Sequence, residues 1–333
     1  MKELYLFSDN NNIKECLLCV EDDIVSHILV RESHLDGKKY NMEKPFIECQ
    51  LENGEDLKEA LFKKGKIFSN LPEIKNHCSI RKIQNYSGEY YYRIYRPIFK
   101  GRNTNVNGFI PYEKHRTSSF VSTAFNKNDF IQSDIAEIYS GVNQLTILLD
   151  SLNEIFKTIH PSTNNLNVYG NNIRNILILS CTEVETQLKG ILKNNIEKPK
   201  SKYSTADYVK LKPLLKLDEY IISFTKFPWL LPLSPFENWN VNFPSQSIEW
   251  YSNYNLVKHD REDKFHFATL ESVLNSVSAI AILLIAQYGK ELPYWNDQIG
   301  SYFQINKTPS WELDEHYFPP FNNEYWNQRY AII

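Results

Sequence analysis

From residue 131 onward, apolar positions recur at alternating steps of four and three: Ile131, Ile135, Ile138, Val142, Leu145, Leu149, Leu152, Phe156 and Ile159. That spacing lays one apolar stripe along a long helix, suited to a bundle core or a subunit contact. Pro161 and the following Ser162-Thr163-Asn164-Asn165 end it. A second helix is predicted over residues 171–195, with Ile173, Ile176, Leu177, Ser180, Val184, Leu188 and Ile191 on its core face. Small Ser180 would admit a close neighbour. A third is predicted from Phe265 to Tyr288, buried through Leu270, Val273, Leu274, Val277, Ile280, Ala281 and Leu284, with Gly289 as its cap.

Before residue 110 the pattern is different. Leu4–Phe7, Cys16–Val20, Ile24–Val30, Phe46–Leu51, Ser79–Ile83 and Tyr90–Phe99 are short apolar runs, and Asp9–Asn12 and Glu21–Asp23 are turn clusters. Asn53–Lys64 reads as a short helix, acidic early and basic late. Residues 1–110 are therefore expected to be a mixed or β-rich domain. Residues 101–128 are rich in Asn, Ser, Thr and Gly, and 111–128 are taken as a connector to a helical bundle over 129–289. The fold class expected is α+β.

Residues 196–246 interrupt the bundle. Prolines around Trp229 forbid a regular helix, so an ordered loop is expected, anchored by Trp229, Phe236, Trp239 and Phe243. The aromatic-rich tail, 290–333, with Trp295, Trp311, Pro319-Pro320 and Trp326, is expected to pack on the rest. Between insertion and third helix lies Trp250–Glu262, WYSNYNLVKHDRE. As a helix it would put Tyr251, Asn255, His259 and Glu262 on a polar face, and Trp250, Tyr254, Val257 and Arg261 on a partly apolar one. Arg174 and Glu185 on the second helix, eleven positions apart and on nearly the same face, are expected to point into one polar pocket.

The chain has 333 residues and a net charge of −3, so its overall charge does not argue for a duplex-coating protein. No GxGxxG or GxxxxGK[ST] occurs, which removes the main support for phosphate-cradling loops. Val277–Ala286, the most apolar stretch, is shorter than a membrane span and reads as a buried helix. No secretory signal is visible, and five cysteines fit reduced thiols in a cytoplasm. Cys16 and Cys19 have CxxC spacing, with Cys49, His77 and Cys78 nearby in kind. The leucines between the pair read as strand core, so buried thiols are expected and no metal or cofactor is assigned. Tyr90–Arg96 with Lys100 and Arg102 interleaves rings and cations as a single-strand stacking platform would, but an amphipathic strand with packed tyrosines and solvated arginines is the favoured expectation.

Two helices, an insertion, a helix carrying Tyr254-Asn255-x-x-Lys258-His259-x-Arg261 and a last long helix form an order that resembles the HEPN-like superfamily. These are small antiparallel helical bundles, many of them ribonucleases in bacterial defence and toxin systems. The resemblance implies that His259 is a general acid or base for metal-independent RNA cleavage, with Asn255 as its polar companion. Lys258, Arg261 or Arg174 would supply a cation, and Tyr251 and Tyr254 would hold substrate. The arginine that the motif carries four to six residues before its histidine is absent, and Asn253 and Tyr254 stand there. A homodimer joined through the bundle, with RNA as partner, is the expectation. A non-catalytic module binding a nucleotide, nucleic acid or protein is the alternative. Residues 118–125 also resemble the STS strand of ADP-ribosyltransferases, with Glu183-Val184-Glu185 as an ExE, but those glutamates fall in a helical pattern.

Overall fold

Asp22 and Asp23 adopt φ of 50° and 63°, the two left-handed residues that a tight hairpin with native twist requires. They join two strands of an antiparallel five-stranded sheet. The computed structural model describes residues 3–9, 14–32, 46–83, 89–97, 132–289, 297–312, 315–317 and 327–331. The connector, Lys100, Arg102, the 118–125 stretch, Trp295, Pro319-Pro320 and Trp326 lie outside the described residues.

The sheet contains β1 (Glu3–Asp9), β2 (Lys14–Glu21), β3 (Ile24–Glu32), β4 (Phe46–Gln50) and β5 (Cys78–Ile83), in the order β4-β3-β2-β1-β5. Helix α1 (Leu57–Lys64) begins where the Asp56 side chain accepts from Glu59 N. It buries Ala60 and Leu61 against Phe7, Cys16, Leu18, Val25 and Cys49. Cys16 pairs with Phe7 and Cys19 with Leu4, so alternation sends the two thiols to opposite faces of the sheet. That geometry prevents the CxxC from chelating. Among the described residues no group of three His, Cys, Asp or Glu is placed to hold a metal.

Over the described part of the expected strand, 90–97, only Tyr90 stays in a strand, β6 (Glu89–Tyr90), because Arg93 takes a φ of 55° and breaks the extended run; 98–99 lie outside the described residues. Helix α2 spans Gln132–Phe156 and α3 Asn171–Asn195. The excursion holds α4 (Thr205–Tyr208), α5 (Leu211–Leu215) and β7 (Ile221–Phe224). Then come α6 (Glu249–His259), α7 (Arg261–Lys264) and α8 (Leu270–Tyr288).

Helices α3 and α8 run in the same direction. Leu270 N donates to Val168 O near their starts, Ser180 meets Ser276 further along, and Gln287 at the end of α8 meets Gln187 on α3. Helix α2 packs antiparallel to both, with Gly141 against Leu284. Helix α6 is antiparallel to α3: Tyr251 reaches Glu185, and Lys258 lies beside Cys181, one turn earlier on α3. The core runs through Leu145, Leu149, Leu177, Val257, Val277 and Ile280. Helix α8 is long and apolar enough to cross a membrane, yet 89% of its apolar window is buried inside the protein. The fold is α+β, an antiparallel sheet followed by helices, each part with its own core.

Trp229, Phe236 and Trp239 anchor the insertion as expected, the first through its indole N–H to Pro161 O, although the Trp229 ring stays half exposed. Phe236 and Trp239 are buried and Trp239 Nε1 donates to Pro244 O. Phe243 is exposed, and Trp229 stacks on His160 with ring centres 5.5 Å apart. The tail returns as β8 (Phe303–Lys307) beside β7 and β9 (Asn327–Gln328) beside β6.

Candidate functional site

Helix α6 positions most of the residues singled out in the sequence. It opens with Glu249 and closes with Lys258 and His259, the charge order that the helix dipole favours. Trp250, Tyr251, Asn253, Tyr254 and Val257 are buried, so the helix packs through a broader face than the sequence suggests.

The two tyrosines belong to this packed face. Tyr251 Oη donates to Glu185 Oε1 at 2.7 Å, and burial followed by that bond pushes the phenol above its usual range. Tyr254 Oη accepts from Lys258 Nζ at 2.8 Å, with the ammonium also 4.9 Å from the ring centre. Burial raises the Tyr254 phenol, and the bond to the phenol raises the Lys258 ammonium. Asn253 Nδ2 donates to Ser272 Oγ on α8 at 3.0 Å. The side chains at the two positions where the HEPN-like motif has its arginine are thus internal to the bundle.

His259 is exposed at the last position of α6, with Asn255 half-buried one turn before it. The helix breaks at Asp260, whose φ and ψ are −139° and 81° and whose carboxylate accepts from Asp263 N. Exposed Arg261 therefore starts α7, and Glu262 leaves the face of Tyr251 and His259 on which it was expected. Asp260 caps the new helix as an N-cap acid should.

Arg174 and Glu185 do not share a pocket. Eleven residues of helix separate them by about 16 Å of rise. Glu185 is taken by Tyr251, while Arg174 Nη1 lies 3.5 Å from Asn175 Oδ1 and its buried Nε has no partner among the described residues. Because α6 is antiparallel to α3, Arg174 and His259 nevertheless lie toward the same end of the bundle. That end collects Arg174, Lys258, His259, Arg261, Lys264 and His266, together with Asp260, Glu262, Asp263 and Glu271. The formal charges nearly cancel. The amino end of α3, which no side chain caps, adds a positive pole, whereas the first amides of α8 are taken by Val168 O, Leu166 O and Thr269.

In the sequence Glu183 enters only through the ExE resemblance. It is half-buried, accepts from Gln187 Nε2 at 2.9 Å and has its carboxyl raised by burial. Its hydrogen-bond partner lies one turn along the same helix, while the charge that acts on it, Arg93, comes from far away in the chain and no local spacing could have revealed it. No protein-family model matches this chain, and neither a curated protein nor a solved structure is similar to it.

Proposed function

We propose that the chain is a HEPN-like protein that cleaves RNA without a metal, using His259 as general acid or base. One observation carries this reading. His259 is exposed beside Lys258 and Arg261, toward the bundle end where α3 starts without a side-chain cap, whereas Asn253 and the Tyr254 hydroxyl are engaged internally. Such an end attracts a phosphate chain, and an accessible imidazole next to it can give or take a proton.

In this chemistry the imidazole removes the 2′-hydroxyl proton and the 2′-oxygen attacks the adjacent phosphorus. The bond to the 5′-oxygen breaks, that oxygen takes a proton, and a 2′,3′-cyclic phosphate remains. A second His259 from a homodimer partner would supply the acid. Arg261 or Lys258 would stabilise the charge that builds on the phosphoryl oxygens. The bond from Lys258 to Tyr254 fixes where that ammonium sits.

The test is RNA cleavage in EDTA by wild type and His259→Ala, with product 3′ ends identified. Cyclic phosphate made by the wild type alone supports the assignment. Equal or absent cleavage favours the second reading, a non-catalytic binding module. That alternative has its own support in the internal placement of Asn253 and Tyr254, which leaves no guanidinium at the motif position.

A further inference from the structure

Residues 89–97 close the opposite end of the bundle. Parallel α3 and α8 both end on this segment, α8 at Tyr288 and α3 about two turns further on at Asn195, each carrying the negative pole of a helix dipole. Neighbouring backbone and side chains satisfy the final carbonyls: Tyr95 N donates to Ala286 O, Ala331 N to Asn195 O, and Gln328 Nε2 to Asn194 O.

Arg93 is the cation placed against this end. Its side chain is 11% exposed and lies 5.9 Å from the centre of the Tyr288 ring. Nε donates to Gln287 Oε1 at 2.7 Å and Nη1 stands 3.5 Å from Glu137 Oε2. Gly190 makes the space, since a Cβ there would fall 2.7 Å from Nη1.

A guanidinium only donates, so its charge orients every amide behind it. Gln287 must turn its oxygen to Arg93, leaving Nε2 to donate to Gln187 Oε1 at 3.0 Å. Gln187 in turn donates from Nε2 to Glu183 Oε1 at 2.9 Å. Four side chains thus form one relay, polarised from cation to carboxylate. Both glutamines are buried and stand on long helices, so the acceptors are preformed by the bundle. Two carboxylates, Glu137 and Glu183, serve one guanidinium.

We propose that this end of the bundle is a receptor site for a single guanidinium group, filled by the chain's own Arg93, and that its occupancy fastens residues 89–97 to the helices. The site takes a planar cation that can donate to Gln287 and Glu137 together. It stands independently of the ribonuclease reading.

The experiment is thermal unfolding of the full chain, wild type and Arg93→Ala, in millimolar guanidinium chloride or the same concentration of sodium chloride. Arg93→Ala is expected to melt below wild type in sodium chloride. Guanidinium, far below its denaturing range, raises the variant's Tm and leaves the wild type unchanged. Adding Gln287→Leu to Arg93→Ala abolishes the rise. If Arg93→Ala does not fold on expression, refolding yield from urea replaces Tm, and guanidinium restores it where sodium does not. A variant that melts with the wild type, or a salt effect equal in both proteins or absent from the variant, overturns the proposal.

Discussion

The hydroxyls of Ser180 and Ser276 lie 2.6 Å apart where α3 crosses α8, and both residues are buried. Each is also within hydrogen-bonding distance of a carbonyl of its own helix, Leu177 O and Val273 O. Small side chains permit the close approach, and the hydroxyls fill it without orphaned polar groups. Ser276→Ala should therefore cost only about 1 kcal/mol, because Ser180 keeps its carbonyl partner. Ser276→Val inserts branched methyls into a closed contact and should cost about 1–3 kcal/mol more. Urea unfolding of the two variants checks the order. Equal stabilities would mean that the helices are not held at this separation.

His27 predicts an acid-labile sheet. It is buried beside Leu18, its Nδ1 has no partner among the described residues, and burial pushes its imidazole down from 6.5 to about 4. The unfolded chain binds this proton first as pH falls. The stabilisation is complete above about pH 6.5 and is lost as pH falls toward 4, about 3 kcal/mol in all. Glu48, raised by burial, works in the opposite direction. Amide exchange in β2 and β3, corrected for its intrinsic pH dependence, should lose protection across that window. His27→Leu should flatten the curve. An unchanged slope in that variant would assign the acid response elsewhere.

Much of this architecture was legible because periodicity reports burial directly. The residues predicted for α3 match its observed span, and Ser180 meets a close neighbour. The hairpin turn at Asp22-Asp23 follows from local chemistry in the same way. Tertiary partnerships were not legible. Tyr251 sits on the helical face predicted to be polar, yet Glu185, 66 residues earlier, draws it into the interior. Arg93 lies in a run that alternates like a strand, but Gln287, 194 residues away, holds its side chain. The break at Asp260 was readable in principle, since an acid capping Arg261-Glu262-Asp263 is an ordinary helix start.

Tyr251 supplies a control for the bundle. Tyr251→Phe keeps the ring against Trp250 and Tyr254 but removes the donor to Glu185. The half-buried carboxylate then loses its hydrogen bond, and stability should fall by about 1–2 kcal/mol in urea unfolding. RNA cleavage at a temperature where the variant remains folded should match the wild type. A large loss of activity at unchanged stability would return Tyr251 to the substrate site.

His259, Arg261 and Arg174 should separate binding from chemistry. His259 and Arg261 are exposed and Arg174 is partly so. Alanine at His259 or Arg261 should therefore leave the Tm where it is, since surface positions without buried partners rarely affect stability. Arg261→Ala and Arg174→Ala should weaken RNA binding to a similar degree across sequences and lessen its dependence on salt, as loss of a phosphate contact does. His259→Ala should bind nearly as well as wild type and release no cyclic phosphate. Titrating all three variants against one RNA at two salt concentrations, with cleavage followed in parallel, distinguishes these roles. If His259→Ala loses affinity along with the arginine variants and no protein cleaves, the cluster is an anion-binding surface and the imidazole one of its contacts. If His259→Ala alone loses cleavage, the imidazole carries the proton transfer and the guanidinium groups hold the strand.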